Sequence, residues 1–199
     1  MATEPFTIVI PSFRPTLARI VEGGLFPLPV THRDGTAYPS FSKLINDCIV
    51  HCPTERVVVC SDKVFPSPEH IDRMLGFLDE GYAFVGLYYF ACFGFPKQLV
   101  RQIGFFDERF VGGEFEDVDY MLRIREADLA YRLTKDVPYR WMPSSWNNSR
   151  SRAHFIRKWG SIHRSEVRRQ LPEEAYPQYP LGEPRPTTFL PASASVESR

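Results

Sequence analysis

The sequence predicts an α/β fold, a mainly parallel sheet flanked by helices and followed by a C-terminal helical and extended arm. Three observations carry this. "FTIVI" running into "PS", and "RVVVCSD", are short apolar runs ended by polar residues, the form of strands buried on both faces. Between them "SFSKLINDCIVHC" sets Phe41, Leu44, Ile45, Cys48 and Ile49 at helical spacing, and the order strand, helix, strand implies an α/β sheet. After the second strand, "PSPEHIDRMLGFLDEG" offers Ser67 as N-cap, Pro68 at the first helical position, Ile71, Met74, Leu75 and Leu78 on one face, and Gly81 as the stop.

The remaining elements follow in order. Residues 25–38 read as irregular. "YAFVGLYYFACFGF" is aromatic and strand-like, "PKQLVRQIG" is a short helix stopped by Gly104, and "FFDERFVGG" is a loop. "VGGEFEDVDYMLRIREADL" then opens with two glycines, packs Glu114, Glu116, Asp117 and Asp119 close together, and turns into an amphipathic helix. "VPYRW" reads as a last strand, and "SRAHFIRKWGSIHRSEVRRQ" as one basic helix or two short ones broken at Gly160. Residues 172–199 are Pro-rich and end in "ASASVESR", which predicts an extended or disordered tail dispensable to a domain spanning 1–171.

The composition fits one such domain: 199 residues, 43% hydrophobic, with 24 basic and 24 acidic side chains. A formal net charge of zero gives no overall attraction for nucleic acid. "MATEPFTIVIPSF" has no basic leader and too short an apolar run for a signal peptide or a membrane span, so the expectation is a cytoplasmic protein, at most peripheral to a membrane. The four cysteines form no C-x-x-C pair and read as buried free thiols.

Chemistry concentrates at three places. Ser61, Asp62 and Lys63 fall at the carboxyl end of the second strand, where open α/β sheets bind ligands. Asp62 together with the acidic cluster makes an oxygen-rich pair of loops suited to Mg²⁺ or Mn²⁺. Such a cation would share a diphosphate and stabilise it as a leaving group, while a nearby carboxylate takes an acceptor's proton. Taken singly, Asp62 is also an ordinary strand terminator and the acidic cluster an ordinary helix start. If the basic segment is helical, His154, Arg157, Lys158 and Ser161 share a face that could meet a pyrophosphate; otherwise it is a solvated face.

With these pieces in order, the chain resembles small GT-A glycosyltransferases of the family 2 kind, which have a Rossmann-like, mixed but mainly parallel sheet. "FTIVIPSFRP" resembles that family's first strand and turn, "VVVCSDKVFPSPEHI" its metal-motif strand, "IGFFDERFVGGEFEDVDYMLRI" its acceptor loop and catalytic helix, and "NSRSRAHFIRKWG" its C-terminal segment. The resemblance covers residues 6–160 and is strongest in the "FFDERF" to "EDVDY" block. It implies inverting transfer of a hexose or deoxyhexose from a UDP or dTDP sugar to a hydroxyl of a glycan or glycolipid, with Mn²⁺ or Mg²⁺ as cofactor. It also implies roles: Asp117 as general base with Glu116 beside it, Asp62 and His154 as metal ligands, and Pro11, Ser12, Phe13, Arg14 and Asp34 at the nucleotide. Lys63, Arg152 and Lys158 would add charge for the donor, and the backbone of Gly112 and Gly113 would lie close to the sugar. Two departures stand out: "SDK" has one acid where the family has two or three, and "THRDGTA" is a poor version of its second-strand aspartate motif.

Two other readings compete. A sugar nucleotidyltransferase would want a glycine-rich loop after the first strand, and "PSFRP" contains no glycine. A non-catalytic domain that binds sugar nucleotides or scaffolds an enzyme would have no need of Glu116 and Asp117.

Overall fold

The computed structural model describes residues 5–111, 114–140, 149–162, 169–170, 176–183 and 187–197. Strand β1 (Phe6–Ser12) is buried except at its first residue. Helix α1 (Pro15–Leu25) begins with Pro15, whose missing N–H costs nothing in the first turn, and buries Ala18, Val21 and Leu25. Strand β2 (Val30–Asp34) follows, then helix α2 (Phe41–His51), capped where Ser40 accepts the Lys43 N–H. Strand β3 (Arg56–Cys60) is buried throughout, and helix α3 (Pro68–Asp79) starts with a reciprocal Ser67–His70 capping box. Strands β4 (Phe84–Phe90) and β5 (Cys92–Pro96) turn about Ala91, and β5 runs directly into helix α4 (Lys97–Ile103). Helix α5 (Glu116–Glu126), strand β6 (Tyr131–Leu133), helix α6 (Ser149–Trp159), a 3-10 turn (Ala192–Ala194) and strand β7 (Val196–Glu197) complete the described elements.

The sheet order is β2-β1-β3-β5-β4-β6-β7, with β5 alone running against its neighbours. Alternation along the strands divides the core in two. Val57 and Val59 face α2, α4 and α5 through Leu44, Leu99 and Tyr120, while Val58 and Cys60 face α1 and α3 through Val21 and Met74. A smaller cluster of Phe110, Phe155 and Trp159 seats α6. All four cysteines are buried and free. Among the described residues no helix is long and apolar enough to cross a membrane.

Three sequence expectations are corrected. Residues 25–38 are not wholly irregular, because β2 lies within them. As an edge strand paired only to β1, it is nowhere fully buried and carries no apolar run to betray it. The strand expected at "VPYRW" is instead β6, six residues earlier in its start; of that segment Tyr139 makes one antiparallel bridge, to Val64. The chain beyond Leu171 is no detached tail in its described parts. Tyr176 is buried, its ring under the Arg123 guanidinium at 4.1 Å and the Lys158 ammonium at 4.7 Å. Leu190 exchanges backbone bonds with Gly81 and Ala130, and β7 pairs in parallel with β6.

These contacts count against the expectation that the tail is dispensable. Truncation after Leu171 should lower the unfolding free energy by about 2 kcal/mol or more, since one large buried side chain alone contributes about 1.5 to 3 kcal/mol. Urea unfolding of the truncated and full chains checks this, and an unchanged midpoint would contradict it.

Candidate active site

Strands β1, β2 and β3 run in parallel and end at one edge of the sheet. Register sets Ser12 beside Asp34 there. Pro11 is buried within β1, and the chain turns at Phe13 and Arg14 into α1. The Ser12 hydroxyl donates to Asp62 Oδ2 at 3.0 Å and accepts the Arg14 N–H at 2.9 Å. Arg14 Nη1 lies 3.5 Å from Asp62 Oδ1. Asp62 itself is only 3% exposed. Phe13 packs so close to Gly35 that a β-carbon there would come within 2.7 Å of its ring and force the ring to shift. Asp34 Oδ1 accepts the Thr36 N–H at 2.9 Å and hydroxyl at 2.8 Å, and these bonds hold its carboxyl below the usual value. Lys63 is half-buried; burial first, then the neighbouring Arg14, pull its pKa below that of an ordinary lysine, against the attraction of Asp62.

A divalent cation of the expected kind needs several anionic or neutral oxygen or imidazole ligands. Among the described residues this edge offers two carboxylates, Asp62, whose two oxygens already face a hydroxyl and a guanidinium, and Asp34, whose Oδ1 is bonded to Thr36. Among the described residues no three His, Cys, Asp or Glu side chains group as cation ligands. The residues present do not fit the resident metal that the resemblance implies.

The four carboxylates around the start of α5 have separate fates. Glu114 and Phe115 adopt left-handed backbone, φ 68° and 67°, immediately before the helix, and Glu114 is exposed. Glu116 is buried, and its Oε2 has no hydrogen-bond partner among the described residues. Burial, then the charges of Asp117 and Glu114, push its pKa up to about 8 despite backbone N–H groups that favour the charged form. Asp117 is half-buried, accepts the Val118 N–H at 2.7 Å, and is raised above the usual aspartate value by desolvation, with the Glu114 charge adding. Asp119 is wholly buried and paired, to Arg123 Nε at 3.0 Å, to Lys158 Nζ at 2.5 Å, and to the Trp159 indole N–H at 2.8 Å.

The other anchor is a residue that the sequence reading passed over. Asp107, in "FFDERF", is 1% exposed and accepts two bonds from the Arg109 guanidinium at 2.7 Å, one from Lys158 at 3.0 Å and one from His154 Nε2 at 3.1 Å. Burial alone would raise its pKa, but His154, Arg109 and Lys158 hold it well below the usual carboxylate range. Arg157 donates to His154 Nδ1 at 2.9 Å, so Nε2 carries the proton given to Asp107. Both ring nitrogens of His154 and the ammonium of Lys158 are thereby committed to the protein's own groups. Arg152 is exposed on α6, and Gly112 and Gly113 lie outside the described residues. The signal for Asp107 lay in α6, whose His154 and Lys158 are buried and needed an anion, while Arg150, Arg152 and Arg157 are exposed.

The β4–β5 turn connects the two halves. On one side the Ser61 N–H, next to Asp62, donates to Ala91 O at 2.8 Å. On the other, Tyr89, held at φ 46°, and Phe90 line a cavity of about 150 Å³ together with Asp117, Met121, Leu133 and Phe155. A positive φ on a bulky residue is a strained conformation of the kind found at binding sites. Beside it Tyr88 stacks on Tyr139, ring centres 4.3 Å apart.

No family model matches the chain, and no curated protein matches it. Among solved structures, the chain is similar to a mutant of Drosophila beta-1,4-galactosyltransferase 7 in complex with manganese, UDP-Gal and xylobiose. The two share 11% sequence identity over 75% of this chain and 72% of that one, with a TM-score of 0.47.

Proposed function

We propose that the protein is an inverting glycosyltransferase of the GT-A type, moving a hexose or deoxyhexose from a UDP or dTDP sugar to a hydroxyl of a glycan or glycolipid. The observation that carries this reading is the β4–β5 turn. A polar strand edge suited to a nucleotide touches it at Ala91, and a cavity holding a carboxylate touches it at Tyr89 and Phe90. A donor lying over the edge, its nucleoside toward Phe13 and Asp34, would present its anomeric carbon across that turn to an acceptor beside Asp117.

In the reaction the acceptor oxygen forms a bond to the anomeric carbon as the bond from that carbon to the diphosphate oxygen breaks. The diphosphate leaves with the electron pair, and Asp117 takes the acceptor's proton. Glu116, raised to about 8 and so mostly protonated at neutral pH, leaves Asp117 as the charged member of the pair. They are consecutive on the helix and diverge by about 100° around its axis, so one serves as base and the other as a positioning residue. Release of UDP or dTDP from a panel of sugar nucleotides, with simple glycans and glycolipids as acceptors, tests the proposal. Absence of release from every donor would count against it.

The burial of Glu116 gives a separate stability prediction. Its folded pKa lies above its unfolded value of 4.5, so the native state binds the extra proton between about pH 4.5 and 8 and stability falls as pH rises through that window. Glu116→Gln should flatten this dependence and stabilise the protein at pH 8 by a few kcal/mol, since each tenfold gain in proton affinity on folding corresponds to about 1.4 kcal/mol. Urea midpoints of both proteins at pH 5 and pH 8 check it. Parallel profiles would show that the buried charge is met elsewhere.

A further inference from the structure

The donor set at the strand edge disagrees with a metal, and the same residues suggest what replaces it. Asp62 is the one acid of its motif, and its two oxygens are turned to Ser12 and Arg14. A divalent cation there would have to displace the Arg14 guanidinium and would then find at most Asp62 and Asp34, with no third carboxylate, imidazole or thiolate among the described residues. Arg14 already stands as the positive charge beside Asp62. The pair is a loose one, 3.5 Å long, and 36% of the Arg14 side chain is exposed. One face of the guanidinium fork therefore remains for a ligand.

The local charge supports an anion as that ligand. Arg14 and Lys63 place two positive charges at Asp62, close enough to act on each other, while the charge of Asp34 sits with Thr36 at the end of β2. Helix α1 starts at Pro15, so its positive end lies at the same turn. Arginine's planar fork matches phosphate oxygens two at a time, and a lysine ammonium adds a point charge beside it.

We propose that this edge binds the diphosphate of a nucleoside diphosphate without a divalent cation, through Arg14 and Lys63, with Ser12 and Asp62 orienting Arg14. The inference rests on the functional reading above, in that a nucleoside diphosphate is the ligand. In mechanistic terms the leaving diphosphate is stabilised by side chains already in place.

Titration calorimetry of the full chain with UDP and with dTDP, once in chelator and once in Mn²⁺, tests it. The expected result is an affinity that agrees within about threefold between the two conditions for the nucleotide that binds, and that falls about tenfold or more in Arg14→Ala and in Lys63→Ala. Arg14→Lys, which keeps the charge and loses the fork, should fall between. Thermal unfolding of each variant confirms that it is folded before its affinity is compared. Binding only in Mn²⁺ would overturn the inference and leave the functional reading standing. Chelator-resistant binding that ignores both alanine substitutions would overturn the assignment to these residues. No binding under either condition would remove the nucleoside diphosphate reading itself, and the inference with it.

Discussion

Asp117→Asn is expected to lower sugar transfer by at least about 10²-fold while leaving UDP or dTDP affinity nearly unchanged. The substitution keeps the shape of the side chain and its ability to accept the Val118 N–H, and removes only the capacity to take a proton. An acceptor hydroxyl is a poor nucleophile until that proton is leaving, and a positioned carboxylate typically contributes about 10² to 10⁴ in rate. Because desolvation raises the Asp117 pKa, the acid limb of the rate profile should lie above the ordinary aspartate range and activity should rise with pH through it. The half-buried position in a cavity behind Tyr89 and Phe90 is what distinguishes Asp117 from Asp119, whose charge is spent on Arg123, Lys158 and Trp159. Near-normal transfer by the variant would move the base elsewhere, with Glu114 as the next residue to test.

Asp107→Asn should have the largest effect on stability, about 3 to 5 kcal/mol. The carboxylate is the common acceptor for Arg109, His154 and Lys158, and an amide would leave buried donors facing an uncharged group that also donates. A loss of that size is a large part of the roughly 5 to 15 kcal/mol that a domain typically has. It would also loosen α6, which Asp107 ties to the loop before α5. Chemical unfolding measures it, and a change below about 1 kcal/mol would mean the three donors find other partners. By the same geometry His154→Ala and Lys158→Ala should act on stability before they act on donor affinity, because both side chains point into this network.

The parts of the fold that were legible in the sequence are those where one local cause dominates. "FTIVI" and "RVVVC" are apolar throughout because β1 and β3 have neighbours on both sides and helices on both faces. The helix "PEHIDRMLGFLD" announced itself by Ser67, Pro68 and a regular apolar stripe. β2 escaped because an edge strand needs no apolar run. β7 escaped because its pairing with β6 joins residues more than sixty apart, which no local pattern encodes. The same division runs through the site. Ser12, Arg14, Asp62 and Lys63 lie together because the ends of parallel strands converge by topology alone. The roles of His154 and Lys158 could not be read from sequence, since they depend on meeting Asp107 across a long separation, and a histidine with two nearby cations reads equally well as a phosphate site or an ion pair. The crowding of acids at "GEFEDVD" had part of its answer within the chain: Asp119 is neutralised by Arg123 and Lys158, while Glu116 keeps an oxygen without a partner among the described residues.

Proton NMR of the anomeric signals, followed in one tube with a sugar nucleotide that the chain consumes and an acceptor that it uses, tests transfer by Asp117 most directly. The account predicts that the donor's sugar-phosphate signal disappears as a glycoside of the opposite anomeric configuration grows in, at equal rates, and that Asp117→Asn abolishes both changes. A product that retains the donor's configuration, or a pyrophosphate released from a nucleoside triphosphate and a sugar phosphate while sugar nucleotides stay intact, would contradict it.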